Sequence, residues 1–252
     1  MEPTADDPEL GLVLSGGGAF GAAHIGVLQV LAARGIRPAI AVGASSGALV
    51  AAAYASGAEP DVITRAASAF RWARIARMSL APRWGLLDTR IVSDTVREVL
   101  GEDPLIEDLP RRFAAYTTDL RTRTGVTIDR GPLSMALRAT IAIPGLLPPV
   151  RHGNLLLADG GLTDNVPVVS ARTLGASRLI VVRLHAKWEN VRMMRTVAAT
   201  GDLTADPSVV LIQPEMQRMA QWRMTDIQRL IAEGRRAAET ALDNERDRSA
   251  IP

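Results

Sequence analysis

Between Gly11 and Ala55 the chain twice repeats one pattern, a short apolar run, a turn of small residues and then a helix-forming run. Gly11 to Ser15 (GLVLS) is apolar and ends in glycines, as a buried strand does. Ala22 to Arg34 follows as a helix, with Ile25, Leu28 and Leu31 on one face and Gly35 as its stop. Ile40 to Val42 is a second strand, and Ala48 to Ala55 a second helix. Strand, glycine loop, helix, strand, tight turn, helix is the alternation that builds a parallel sheet covered by helices. The fold class expected is α/β with a mostly parallel central sheet.

Later segments fit that plan. Arg90 to Leu100 reads as a helix, and Arg112 to Thr118 and Val126 to Asp129 as strands. Leu155 to Ala158 and Leu179 to Leu184 also read as strands, the second fully buried. A long helix is expected from Glu215 to Asn244, with Met216, Met219, Ile227, Leu230, Ile231, Ala238 and Leu242 on its core face. At 252 residues and 47% hydrophobic, the chain suits one domain, and no Ser/Gly-rich or highly charged stretch divides it. The expected division is a flexible segment over 1–9, a single domain over 10–245 and a tail over 246–252.

Several function classes fall away on composition. Without cysteine there is neither a disulfide framework nor a thiolate metal site. No paired histidines or carboxylates stand at ligand spacing, so no metal or other cofactor is expected. A net charge of +2 points away from nucleic acid. The first ten residues are polar and acidic, unlike a signal peptide, and no apolar run reaches the roughly 18 residues of a membrane span. The chain reads as soluble and cytoplasmic.

Three short signals carry chemistry. The first is Gly16-Gly17-Gly18-Ala19-Phe20-Gly21, between the first strand and first helix. Glycines there leave backbone N–H groups open at a helix N-terminus, where an anion binds, either a phosphate or the oxyanion of an acyl transfer. The string also fits the dinucleotide fingerprint, which needs an acidic residue about 20 positions on to hold a ribose. No acid occurs between Glu9 and Glu59, and Gly43-Ala44-Ser45-Ser46-Gly47 stands in its place.

That G-x-S-x-G is the second signal. On a strand-to-helix turn it is a nucleophile elbow, with Ser45 rather than Ser46 between the glycines. A serine needs a base. Of the three histidines, His24 lies inside the first helix, His152 in a turn, and His185 at the end of a strand in the order of a conventional triad. The third signal offers another base: Asp159, ending an apolar strand before Gly160 and Gly161. Asp164, just beyond, fits a turn aspartate bonded to its own loop.

Taken together, in this order, the motifs resemble those of the patatin-like phospholipases. The glycine loop matches Gly16–Gly21, the elbow Gly43–Gly47 and the D-G-[AG] motif Asp159–Gly161, with weaker likeness at Thr118–Leu120, Ala139–Val150 and Thr163–Pro167. The resemblance implies a three-layer α/β/α fold and a lipid acyl hydrolase working through an acyl-serine. It assigns Ser45 as nucleophile, Asp159 as base, raised in pKa by burial, and the amides of Gly16, Gly17 and Gly18 as oxyanion hole. Phe20 departs from the Arg or Lys of many bacterial members, which removes a positive charge from the expected site entrance.

An acyltransferase using the same acyl-serine, or a non-catalytic lipid-binding protein on the same fold, remains an alternative. The expected partner is a lipid or other acyl ester. Phe70, Trp72 and Trp84 interleave with Arg71, Arg74 and Arg83, a mixture that suits transient contact with a membrane surface and equally suits ordinary packing.

Overall fold

The computed structural model describes residues 6–69, 93–94, 96–97, 102–184, 203–216 and 227–249. Its strands are β1 (Asp7–Leu14), β2 (Pro38–Ala44), β3 (Arg112–Asp119), β4 (Thr124–Ile128), β5 (Val150–His152), β6 (Leu155–Asp159), β7 (Arg178–Val182) and β8 (Val209–Ile212). Its helices are α1 (Ala22–Ala33), α2 (Ser46–Ala55), α3 (Pro60–Ala69), α4 (Leu133–Thr140), α5 (Val168–Thr173) and α6 (Ile227–Ser249). The strands form one sheet in the order β5-β6-β3-β2-β1-β7-β8, with β4 also paired to β3. From β3 across to β8 every pairing is parallel, whereas β4, β5 and β6 join antiparallel.

Alternate residues of the central strands feed two separate cores. Leu12, Leu14, Ala41, Ala115, Ile180 and Val182 point to the face covered by α1, α2, α4 and α6. Val13, Ile40, Val42, Ala114, Leu179 and Val181 point the other way, toward α5. The strand period of two thus produces three layers, α/β/α, as expected.

One feature of the sheet positions the candidate site. β4 pairs with β3 from Ala115 to Asp119, and so occupies one edge of it. β2 pairs with Arg112 to Tyr116 and β6 with Thr117 to Asp119, so both must share the opposite edge, end to end. Ala44 lies opposite Tyr116, and Asp159 opposite the next residue, Thr117. Parallel β2 and antiparallel β6 therefore meet head-on, which brings Ser45 and Asp159 together although they are far apart in sequence.

Several boundaries differ from expectation. β1 starts at Asp7, inside the segment expected to be flexible, because Asp7 N–H donates to Arg37 C=O (2.8 Å) and Ser177 N–H to Glu9 C=O (3.0 Å). β2 and β3 run slightly longer, and β4 is offset toward the chain start. Glu215 and Met216 lie outside the closing helix, which runs on to Ser249, past the expected end. The core positions Ile227, Leu230, Ile231, Ala238 and Leu242 are buried as the spacing requires, and Met216 is buried too. α1 is buried over most of its surface rather than on one face, because α6 packs along it. Met219 and most of the expected Arg90–Leu100 helix lie outside the described residues.

Candidate active site

Ser45 sits at the break between β2 and α2 with φ 50° and ψ −127°, a left-handed backbone that a residue with a Cβ rarely adopts. Two glycines make room for this turn. A Cβ on Gly43 would lie 2.5 Å from Ala48 N, and one on Gly47 would lie 2.2 Å from the Leu14 carbonyl oxygen. The flanking positions of the motif therefore carry no side chain because backbone crosses where one would stand. Ser45 itself is buried, and its N–H donates to Thr140 Oγ1 (2.9 Å).

The glycine loop is built against this elbow. A Cβ on Gly21 would meet Ser46 Cβ and Oγ at 2.7 Å, and one on Gly16 would meet Ser45 Cβ at 3.1 Å. Ser46 Oγ is consequently packed away, buried and without a hydrogen-bond partner. From the far side the segment after Asp159 grips the loop: Gly16 N–H donates to Asn165 C=O (3.3 Å), and Asn165 Nδ2 to Gly16 C=O (3.2 Å). The Gly16 amide is thereby engaged, contrary to the expectation that it faces an anion. The N–H groups of Gly17 and Gly18 make no hydrogen bond among the described residues, and Gly18 takes φ 59°. Phe20 is fully buried in the core and does not line an entrance.

Asp159 ends β6 and is also buried. Its Oδ1 accepts from Gly161 N–H (2.8 Å), while Oδ2 is buried without a hydrogen-bond partner among the described residues. Burial pushes the carboxyl pKa up to about 6, although the nearby Ser45 hydroxyl and the Gly161 amide each pull it down. The hydroxyl is thus close enough to act on the carboxylate but makes no hydrogen bond of ordinary geometry with it. Gly160 is a glycine because a Cβ would lie 2.3 Å from the Tyr116 carbonyl oxygen, and one on Gly161 would press on Asp159 Oδ1 at 3.0 Å. Asp164 bonds its own loop as expected, accepting from Val166 N–H at 2.9 Å.

Histidine contributes nothing to this cluster among the described residues. His24 is buried in α1 with Nε2 donating to Ser15 C=O (2.8 Å), and burial lowers its pKa to about 4. His152 is exposed on β5 rather than in a turn, opposite Leu155 at the end of β6 away from Asp159. His185 lies outside the described residues, as do Phe70, Trp72 and Trp84 with their arginines. Also among those residues, no group of three or more His, Asp or Glu is placed to hold a metal, and no helix is long and apolar enough to cross a membrane.

Comparison with known proteins gives the family. The family model described as patatin-like phospholipase matches residues 12–172, a span that holds both Ser45 and Asp159. The chain belongs to the patatin-like phospholipase family. A relative described as an uncharacterized NTE family protein of Mycobacterium bovis is 35% identical over 224 residues, covering 82% of this chain and 61% of its own length. Neuropathy target esterase sws of Drosophila melanogaster is 33% identical over 183 residues, which are 69% of this chain but 13% of the fly protein. This patatin-like chain therefore spans less than two thirds of either relative. Among solved structures, VipD from Legionella pneumophila superposes with a TM-score of 0.66 at 14% identity, over 95% of this chain and 68% of that one. That likeness is one of fold.

Thr140 and Tyr116 enter the patatin-like site without any signal in the sequence that singled them out. Thr140 falls within the family-like stretch from Ala139 to Val150, but nothing local marks its hydroxyl as the partner of a residue 95 positions away.

Proposed function

We propose that this protein is a lipid acyl hydrolase in which Ser45 is the nucleophile and Asp159 the general base. What supports the reading is one juxtaposition: a serine on a strained strand-to-helix turn beside a buried carboxylate oxygen with no other partner. Asp159 takes the Ser45 proton as Oγ attacks an ester carbonyl carbon. The carbonyl oxygen becomes an oxyanion held by the free amides of Gly17 and Gly18, and one such donor is worth about 3–4 kcal/mol in other enzymes. Collapse breaks the ester bond, and Asp159 returns the proton to the departing alcohol. Water then attacks the acyl-serine carbonyl with Asp159 accepting its proton; collapse breaks the bond to Ser45 Oγ, which takes that proton back from Asp159, and the fatty acid is released.

A carboxylate with the usual pKa of about 4 is a weak base at neutral pH. Raising Asp159 to about 6 brings it nearer the working range while leaving it ionised above that value. The test is hydrolysis of p-nitrophenyl butyrate and of phosphatidylcholine in mixed micelles, across pH, by wild type, Ser45→Ala and Asp159→Asn. Wild-type kcat/KM should rise through about pH 6 to a plateau, and each variant should lose at least ~10³-fold. Near-normal turnover in a folded Asp159→Asn would move the base role elsewhere, to His185 first.

A further inference from the structure

We propose that Thr140 is a positioning residue: its buried hydroxyl, together with the Ala142 carbonyl, sets the placement of Ser45 against Asp159. The inference rests on the Ser45–Asp159 reading above and extends it to a third part of the molecule. After Ala44 the chain leaves the β2–β3 ladder, so the Ser45 N–H is the first donor that the sheet no longer serves. Thr140, at the end of α4, fills that gap. Its Oγ1 accepts from Ser45 N–H at 2.9 Å and donates to Tyr116 C=O at 2.6 Å. A hydroxyl is the group for this place, because it accepts and donates through one atom. Thr140 is fully buried.

Two residues further on, Ala142 C=O accepts from Asp159 N–H at 3.0 Å. The stretch from Thr140 to Ala142 thus holds the backbones of both reacting residues. β3 holds them from below, through Tyr116 opposite Ala44 and Thr117 opposite Asp159. The bonded circuit is closed, and a strained φ persists where the surroundings over-determine it in this way. Replacing Thr140 with valine keeps the volume and the β-branch but leaves Ser45 N–H and Tyr116 C=O without that partner. The elbow then relaxes and carries the hydroxyl off the Asp159 carboxylate, so reaction slows while the rest of the site is untouched.

The experiment compares wild type, Thr140→Val and Thr140→Ser for the second-order rate of fluorophosphonate labelling across mildly acid to mildly alkaline pH, with melting curves to certify folding. Thr140→Val should label at least ~10-fold more slowly, as a small misplacement of reacting groups does. Its pH midpoint should move upward, because the Ser45 hydroxyl that lowers the Asp159 pKa has moved away. Thr140→Ser should stay close to wild type. Equal slowing in both variants, or a Thr140→Val protein with wild-type rate and midpoint, overturns the proposal. Should Thr140→Val fail to fold, amide exchange in the wild type decides: slow exchange at Ser45 is expected, and exchange as fast as an open loop overturns it. A wild type that takes no label at Ser45 sinks the dyad reading itself, and the positioning role with it.

Discussion

Asp159 is buried with no cation beside it among the described residues, and that placement has a cost visible in stability. Its folded pKa of about 6 lies above the ordinary 3.8, so the folded state holds its proton more tightly than the unfolded chain. Stability from this group is greatest below the unfolded value, falls as pH rises between the two, and is lowest once the carboxylate is ionised. The penalty above that window is on the order of 3 kcal/mol. Asp159→Asn removes the charge, so it should melt higher than wild type at about pH 8 and lose that advantage by about pH 4. A lower or pH-independent melting temperature would mean the carboxylate is better solvated than its burial implies. His24 has the opposite sign: its folded pKa of about 4 lies below 6.5, so its contribution is present above 6.5 and is lost as pH falls toward 4. Ser45, Asp159 and the motif glycines were legible in the sequence because their spacing states a local geometry. Thr140, and the engagement of the Gly16 amide by Asn165, were not, because both depend on chain segments that only the fold brings together.

At the scale of elements, α1 and α6 pack backbone against backbone. A Cβ on Gly26 would stand 1.9 Å from the Ile231 carbonyl oxygen, and one on Gly234 would stand 1.9 Å from that of Ala23. Within an isolated helix, Gly→Ala gains about 1 kcal/mol. Here the obstruction is backbone, which cannot rotate aside, so Gly26→Ala should reverse that sign. We expect a loss of about 1–3 kcal/mol, as overpacking typically gives, read as a lower melting temperature. An unchanged or raised melting temperature would show that the helices part freely. The same crossing explains why the sequence reading made α1 one-faced: its periodicity carries no information about a helix some two hundred residues later. β5, β8 and α5 escaped for a simpler reason, since runs of three, four and six residues are too short to show a period. α3 and α4, which are longer and amphipathic, were legible in principle and were missed.

At the scale of the whole molecule, the proposed function hangs on a topological junction rather than on any single loop. The alternation of strands and helices in the sequence was enough to give a parallel sheet covered by helices, and the family resemblance implied its three layers. It was not enough to show that β2 and β6 abut along one edge of β3, and that meeting is what joins the second and third motifs. A lone serine elbow would have been an incidental turn, and a lone aspartate a loop cap. On the proposed reading, the junction activates Ser45. The most direct test treats the folded wild-type protein with a fluorophosphonate probe and locates the adduct by mass spectrometry. A single adduct on Ser45 is expected, absent in Ser45→Ala. An adduct on another residue, or none on a folded protein both with and without lipid vesicles, would overturn the proposed dyad.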